Sequence, residues 1–305
     1  MISKEHNFIS AVVCVTDANR KTLSFLESLS GILKDHFLKY EILVINRGGL
    51  SETNAVLKGW ADEKACQLTV ISMPSQQTID QCMNAGIDLA IGDYVYEFDS
   101  ADMSYPADLI WRAYEKATGG SDIVAVCPKT SRIGSRLFYA LFSRCSSNGS
   151  MMRTEAFRLV SRRAVNRTHA MSENLPYRKA AYAMSGLKIT TLEYLAGKEF
   201  SSHSAEDNRL DLAIDSLVLY TDFGYRLSIV VAIAMAFMAV CELGYTIAIY
   251  AVGKPVSGWT TTMFVLTLGL LGLFAIFIVV LKYLSLILRM TFQKQSYQVE
   301  NIEKY

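Results

Sequence analysis

Net charge is nearly absent from this chain. Its 305 residues carry 30 Lys and Arg against 29 Asp and Glu, a formal charge of +1. Bulk charge therefore gives no reason to expect a nucleic-acid partner. Paired cysteines are absent too. Cys14, Cys66, Cys82, Cys127, Cys145 and Cys241 show no CxxC spacing. That argues against a zinc site or a disulfide framework, and for free thiols in a reducing compartment. The four histidines, His6, His36, His169 and His203, lack metal-ligand spacing and read as surface or core residues. A signal-peptide core is also lacking. The apolar segment Phe8–Val15 is too short for one followed by a cleavage site, and reads as a buried strand.

Charge is scarcest in the last third. Leu227–Val252 contains one formal charge, Glu242, and Thr260–Leu281 contains none. About 20 apolar residues suffice to cross the hydrocarbon core of a bilayer, so both runs read as transmembrane helices. Arg209 and Arg226 precede the first run, and Lys282, Arg289, Lys294 and Lys304 follow the start of the flank after the second. The connection Gly253–Trp259 holds only Lys254. This asymmetry predicts both termini on the cytoplasmic side of the inner membrane, joined by a short external hairpin. Trp259, Tyr245 and Tyr250 fall near the outer interface, where amphipathic rings sit. Glu242 either pairs with the other helix or a neighbouring subunit, or lies near the outer interface. A small channel is disfavoured, because two helices supply little pore.

The preceding residues alternate between strand and helix patterns. Phe8–Val15, Tyr40–Ile45, Gln67–Met73, Tyr94–Phe98 and Asp122–Cys127 read as strands. Thr22–Phe37, Thr53–Ala65, Thr78–Ala90 and Pro106–Thr118 read as helices. This rhythm implies βαβ units, an α/β fold and a mostly parallel sheet with flanking helices. In such sheets ligands bind beyond the carboxyl ends of the strands, which points to Asp17, Asn46 and Asp99. Asp99 and Asp102 form a carboxylate pair at one strand end. They can share a divalent cation that neutralises a diphosphate. The alternative is that Asp102 caps the following turn and Asp99 is a solvated strand terminus.

Several segments together resemble glycosyltransferase family 2 and its polyprenyl-phosphate sugar transferases. Asn84–Asp93 resembles the helix leading into the family's "GD" strand. Asp99–Met103 with Pro106 resembles its metal-binding DAD-L-x-x-P segment. Phe157–Arg163 resembles its FRL-x-x-R segment, and Leu212–Ser216 with Arg226–Ser228 its lead-in to the membrane helices. The resemblance implies a GT-A-type fold at 1–200, juxtamembrane amphipathic helices at 201–226, a two-helix hairpin at 227–290 and a cytoplasmic tail at 291–305. It also implies a nucleotide sugar held by Asp17, Asn46 and Asp99, with Mg2+ or Mn2+ on Asp99 and Asp102. A polyprenyl phosphate would be held by Arg136, Arg144 and Arg158. Asp99, Asp102 and Glu155 would be the catalytic set, and the membrane and a second copy of the chain the remaining partners.

The chain departs from the family pattern at three acidic positions. Asn46-Arg47-Gly48-Gly49 stands where Asp-Asp-Gly-Ser is usual. The first Asp of DAD aligns with Ser100, so Asp99 serves only if the chain is offset by one. The Asp before FRL aligns with Ala156, with Glu155 beside it. A non-catalytic homologue acting as a scaffold or regulator of glycan assembly is therefore the second reading. The stretch Ser135–Cys145 reads as a basic amphipathic helix at the headgroups, either as general attraction to anionic lipid or as a bidentate phosphate site.

Overall fold

A computed structural model describes residues 4–48, 51–64, 66–74, 77–129, 155–171, 178–195, 223–253, 258–291 and 297–305. The chain divides into two compact units, Met1–Ala213 with Gln293–Tyr305, and Ile214–Phe292. The expected segments 130–154 and 196–222, including Arg136, Arg144 and the juxtamembrane lead-in, lie outside the described residues.

In the first unit, β1 (Ile9–Val15) is buried along its whole length, and so is most of β2 (Tyr40–Asn46). Strands buried on both faces are what a parallel sheet covered by helices requires. The helix α1 (Arg20–His36) starts at Asn19, whose side chain accepts from the N–H groups of Lys21 and Thr22. That cap satisfies two orphan donors of the first turn. Its buried face is Phe25, Leu26, Leu29 and Leu33, at helical spacing. After α2 (Ser51–Lys64) and β3 (Leu68–Ser72) comes α3 (Ile79–Leu89), opened by a reciprocal Thr78–Gln81 capping box. Then follow β4 (Tyr94–Phe98), α4 (Asp108–Thr118) and β5 (Ile123–Pro128). The remaining elements of this unit are β6 (Phe157–Ser161), α5 (Arg162–Met171), α6 (Arg178–Met184) and β7 (Ile189–Tyr194), with β8 (Asn301–Lys304) beyond the second unit.

The eight strands form one sheet in the order β7-β5-β6-β4-β1-β2-β3-β8. Strand β1 pairs in parallel with β2 and β4, β2 with β3, and β5 with β7; β6 and β8 run antiparallel to their neighbours. The mostly parallel sheet expected from the alternation is present. Side chains alternate across it. Val13, Tyr96 and Phe98 join α1 and α4 on one face, while Val12, Ile45 and Val95 join α3 and Tyr182 on the other. The periodicity did not foresee β6, β7 or β8.

The second unit holds α7 (Phe223–Val252) and α8 (Trp259–Thr291), which pack on one another. Their apolar stretches Ile229–Ala251 and Trp259–Leu284 span 23 and 26 residues, roughly 34 and 39 Å of helix. Val230, Phe237, Val265 and Ile276 stand exposed on them. Helices this apolar and this exposed suit lipid rather than water. Glu242 lies about 20 Å from the start of its stretch, nearer the middle than the outer interface. Its backbone carbonyl accepts from the Thr246 hydroxyl at 2.9 Å.

One close approach is testable. Gly92 donates its N–H to Ser10 Oγ at 2.8 Å, and its carbonyl accepts from Arg162 Nε at 2.9 Å. A Cβ there would lie 2.5 Å from the Ser10 backbone nitrogen. Backbone cannot yield cheaply, so Gly92→Ala should cost about 1–3 kcal/mol or more, the range of overpacked cores. Chemical denaturation of the purified variant measures this. An unchanged midpoint would show that the β1–β4 contact is looser than described.

Candidate active site

Strand β1 is the switch point of the sheet, with β2 and β3 on one side and β4 on the other. The crevice beyond such a point is where open α/β sheets bind ligands. The backbone there is tightly fitted. Arg47 donates its N–H to the Val15 carbonyl at 2.8 Å. A Cβ on Gly48 would fall 2.5 Å from the Thr16 carbonyl oxygen, so the loops after β1 and β2 touch only because residue 48 is glycine.

Strand β4 brings the charge. Alternation turns Tyr94, Tyr96 and Phe98 to one core and Val95 and Glu97 to the other face. Glu97 is only 3% exposed. A buried carboxylate must be paired, and three donors converge on it. Arg178 Nη1 donates at 2.6 Å, Arg158 Nη1 at 3.5 Å, and the Tyr182 hydroxyl also donates. Arg158 sits directly across from Glu97 in the β4–β6 register. Its guanidinium lies 4.7 Å over the Tyr182 ring and also pairs with Glu155. Arg178, the first residue of α6, holds three carboxylates at once. Besides Glu97 it donates from Nε to Asp80 at 3.0 Å and from Nη2 to Asp99 at 2.5 Å. It thereby ties the end of β4 to the first turn of α3.

The charge states follow from these contacts. Burial opposes ionisation of Asp99, but Arg178 and then Lys179 outweigh it and hold the carboxyl at about 2. Asp80 moves the other way, because burial raises it more than Arg178 lowers it. Burial works against both guanidiniums. The carboxylates around them more than compensate and keep both charged. Tyr182 is pushed up by burial and then by Glu97. It stays a neutral donor.

The sequence-derived residues are distributed as follows. Asp99 is in the network. Asp102 is exposed on the turn before α4, outside it. Glu155 is half-buried against Arg158. Asp17 is exposed after β1 and accepts from the Asn19 side chain. Asn46 is fully buried. Its amide donates to Asn54 at 2.7 Å, and its Oδ1 accepts from the Gly48 N–H at 3.1 Å. Asn46 thus shapes the loop and presents no free face to a ligand. Arg158, expected at the acceptor phosphate, is 4% exposed. Its fork cannot reach a lipid without breaking ion pairs to Glu97 and Glu155. Arg162 donates to the Ala90 and Gly92 carbonyls. Glu97, Asp80, Arg178 and Tyr182 were missed. Only Glu97 carried a signal, a lone carboxylate inside the strand pattern Tyr94–Phe98.

Among the described residues, no three His, Cys, Asp or Glu side chains gather as a metal-ligand set. A divalent ion that keeps its waters and takes substrate phosphates needs only one or two protein carboxylates. The network places Asp80, Glu97, Asp99 and Glu155 against Arg158 and Arg178. This excess of negative charge suits a cation, and Asp99 with Asp102 are the residues that could hold it.

Residues 10–183 match Glycosyl transferase family 2. This is more than half of the chain. The chain belongs to glycosyl transferase family 2. It is 28% identical over 163 residues to an uncharacterized glycosyltransferase of Synechocystis sp., covering 50% of each chain. It thus spans about half the length of that relative. To the bactoprenol glucosyl transferase of Shigella phage SfV it is 23% identical over 265 residues, covering 84% of this chain and 86% of the phage protein. Its fold resembles glucosyl-3-phosphoglycerate synthase from Mycobacterium tuberculosis, solved in complex with UDP. The TM-score is 0.50 at 14% identity, with 70% and 78% of the two chains covered. The family 2 domain therefore has the GT-A-type architecture expected from the sequence, and the chain is a glycosyltransferase.

The network predicts the effect of losing Arg178. Arg178→Met leaves Glu97 and Asp99 with an unbalanced charge, a change that typically costs about 3–5 kcal/mol in a buried pair. Thermal unfolding should shift down accordingly. In the wild type Asp99 lies below its ordinary value of 3.8. Its ion pair is therefore complete above that value and lost as pH falls towards about 2. In the variant burial is opposed only by the weaker pull of Lys179 and Arg158, so a carbon-13 titration of the Asp99 carboxyl should move upward. An unmoved titration would remove Arg178 as its counter-ion.

Proposed function

We propose that this glycosyltransferase moves a sugar from a nucleotide sugar to a polyprenyl phosphate, at a membrane held by α7 and α8. One observation carries the acceptor class. The alignment to the phage bactoprenol glucosyl transferase covers 84% of the chain. That is longer than the stretch ahead of α7, so it includes part of the apolar helices as well as the family domain.

The nucleotide sugar lies at the crevice beyond β1, β2 and β4. The loop after β2 faces the nucleotide, and the turn Asp99–Asp102 faces the diphosphate. Asp99 and Asp102 would hold a divalent cation, which would supply charge neutralisation for the departing diphosphate. Arg178 keeps Asp99 ionised for that task and fixes its place on β4. An oxygen of the acceptor phosphate attacks the anomeric carbon while the bond from that carbon to the diphosphate oxygen breaks. The single displacement inverts the configuration. A phosphate is already ionised at neutral pH, so the step needs no strong base. Ala156 in place of the usual Asp is then tolerable, and Glu155 remains committed to Arg158. The acceptor's phosphate falls to Arg136 and Arg144. Arg158 serves as the internal counter-ion of Glu97 and Glu155.

The buried Asn46, and Arg178 closed on Asp99, favour a second reading: a non-catalytic homologue that keeps the fold and the anchor. Incubating membranes that contain the protein with a panel of nucleotide sugars, followed by mass spectrometry of extracted lipids, separates the two. The transferase reading expects one glycosylated polyprenyl phosphate whose appearance depends on Asp102. Its absence with every donor favours the scaffold.

Connectivity bears on topology. Strand β8 belongs to the same sheet as β1–β3, and the two apolar helices are the chain between. Two crossings return the chain to the side it left, in agreement with the Lys and Arg asymmetry. An impermeant maleimide applied to intact cells should label Ser257→Cys and spare Asn301→Cys. The reverse pattern would put the family domain outside, away from cytoplasmic nucleotide sugars.

A further inference from the structure

We infer that the strand following the membrane helices is a positioning element of the donor site: β8 and residues 297–300 hold the loop after β2 through two hydrogen-bond relays. The inference rests on the donor reading above for its functional consequence. The relays themselves are properties of the fold.

The strand first closes an edge. Val70 stands opposite Glu303 and Ser72 opposite Asn301. The Tyr305 N–H donates to the Leu68 carbonyl at 2.8 Å, and the Glu300 N–H to the Ser72 carbonyl at 2.9 Å. Without it β3 would be a bare edge. Edge protection alone does not explain where its side chains go. Glu303 Oε2 accepts from Asn54 Nδ2 at 3.3 Å, and the same amide donates to Ser72 Oγ at 2.8 Å. Asn54 Oδ1 in turn accepts from Asn46, whose Oδ1 takes the Gly48 N–H. The Asn301 side chain and the Tyr305 hydroxyl both donate to Glu303 and fix its carboxylate.

The second relay is separate. Gln77 and Gln298 clasp each other, side-chain Nε2 to the Gln298 carbonyl at 2.6 Å and the Gln298 N–H to Gln77 Oε1 at 3.2 Å. The Gln77 carbonyl accepts from Arg47 Nε at 2.8 Å. Residues 46, 47 and 48 are thus all tied to chain that lies beyond α8. The Arg47 N–H bonds the Val15 carbonyl, and a Cβ on Gly48 would fall 2.5 Å from the Thr16 carbonyl oxygen, so the loop beside Asp17 is joined to them. The donor site is completed only when the chain has passed through both apolar helices and returned.

The test compares the full chain with a variant stopped after Ser296, in the same detergent. Hydrogen exchange at the Arg47 and Gly48 amides is read together with calorimetric affinity for UDP and GDP. The expected result is faster exchange at both amides and affinity lower by about tenfold, the size of one or two lost hydrogen bonds. A synthetic peptide of residues 298–305 should restore both. Unchanged exchange at 47 and 48 in the shortened chain overturns the inference. If the shortened chain does not fold, Glu303→Ala with Gln77→Ala keeps the strand and cuts the relays. Exchange at 47 and 48 should then rise while that at 69–71 stays as in wild type, and Glu303→Gln, which retains an acceptor, should stay close to wild type. Loop exchange that remains unchanged in the double variant is equally fatal. If the full chain binds neither nucleotide, the donor reading fails, and the exchange data still decide the relays.

Discussion

Arg178 satisfies three carboxylates from two elements, and the carboxyl edge of the sheet is organised around it. Glu97 is buried on β4, Asp99 ends that strand, and Asp80 sits in the first turn of α3. None of these would keep its place without a cation, because buried like charges repel and desolvated carboxylates are costly. Arg158, across the ladder from Glu97, supplies the second cation, and Tyr182 the last donor. The result is a closed network of charges at the carboxyl end of β4, the strand beside β1. Asp102 lies outside that network, exposed, where a substrate can reach it.

The arrangement bears on the missing acidic residues. The family resemblance implies Asp where this chain has Asn46, Ser100 and Ala156. Asn46 is neutral, and its amide both donates and accepts, which lets it shape a loop that an aspartate would repel from Glu303 through Asn54. The loss of one charge at the β2 end is thus matched by the Glu303 carboxylate, which Asn54 links to Asn46. Asn46, Asn54 and Glu303 thus form one connected hydrogen-bonded unit.

Much of the fold was legible. The five strand patterns from Phe8 to Cys127 and the helices between them follow periodicity, because each buries a face that water-exposed residues could not tolerate. The two long apolar helices, α7 and α8, were legible from the length of their apolar runs. Strand β8 was not. Asn-Ile-Glu-Lys is four residues with no apolar alternation, and it pairs only because β3 offers an edge. Arg158 was expected at the acceptor phosphate from its place in the FRL-like segment, whereas the structure buries it against Glu97 and Glu155. Its true surroundings depend on β4 and α6, distant in sequence. Arg178 had no local signal at all, since its three partners lie about 80 to 100 residues away.

In the proposed mechanism Asp99, kept ionised by Arg178, works with Asp102 to hold a divalent cation against a nucleotide diphosphate. Calorimetric titration of the purified chain with UDP and GDP, with and without Mg2+ or Mn2+, tests it most directly. Binding of one nucleotide should require the metal and disappear in Asp102→Asn while thermal unfolding is unchanged. Binding that is indifferent to metal and to Asp102 would contradict it.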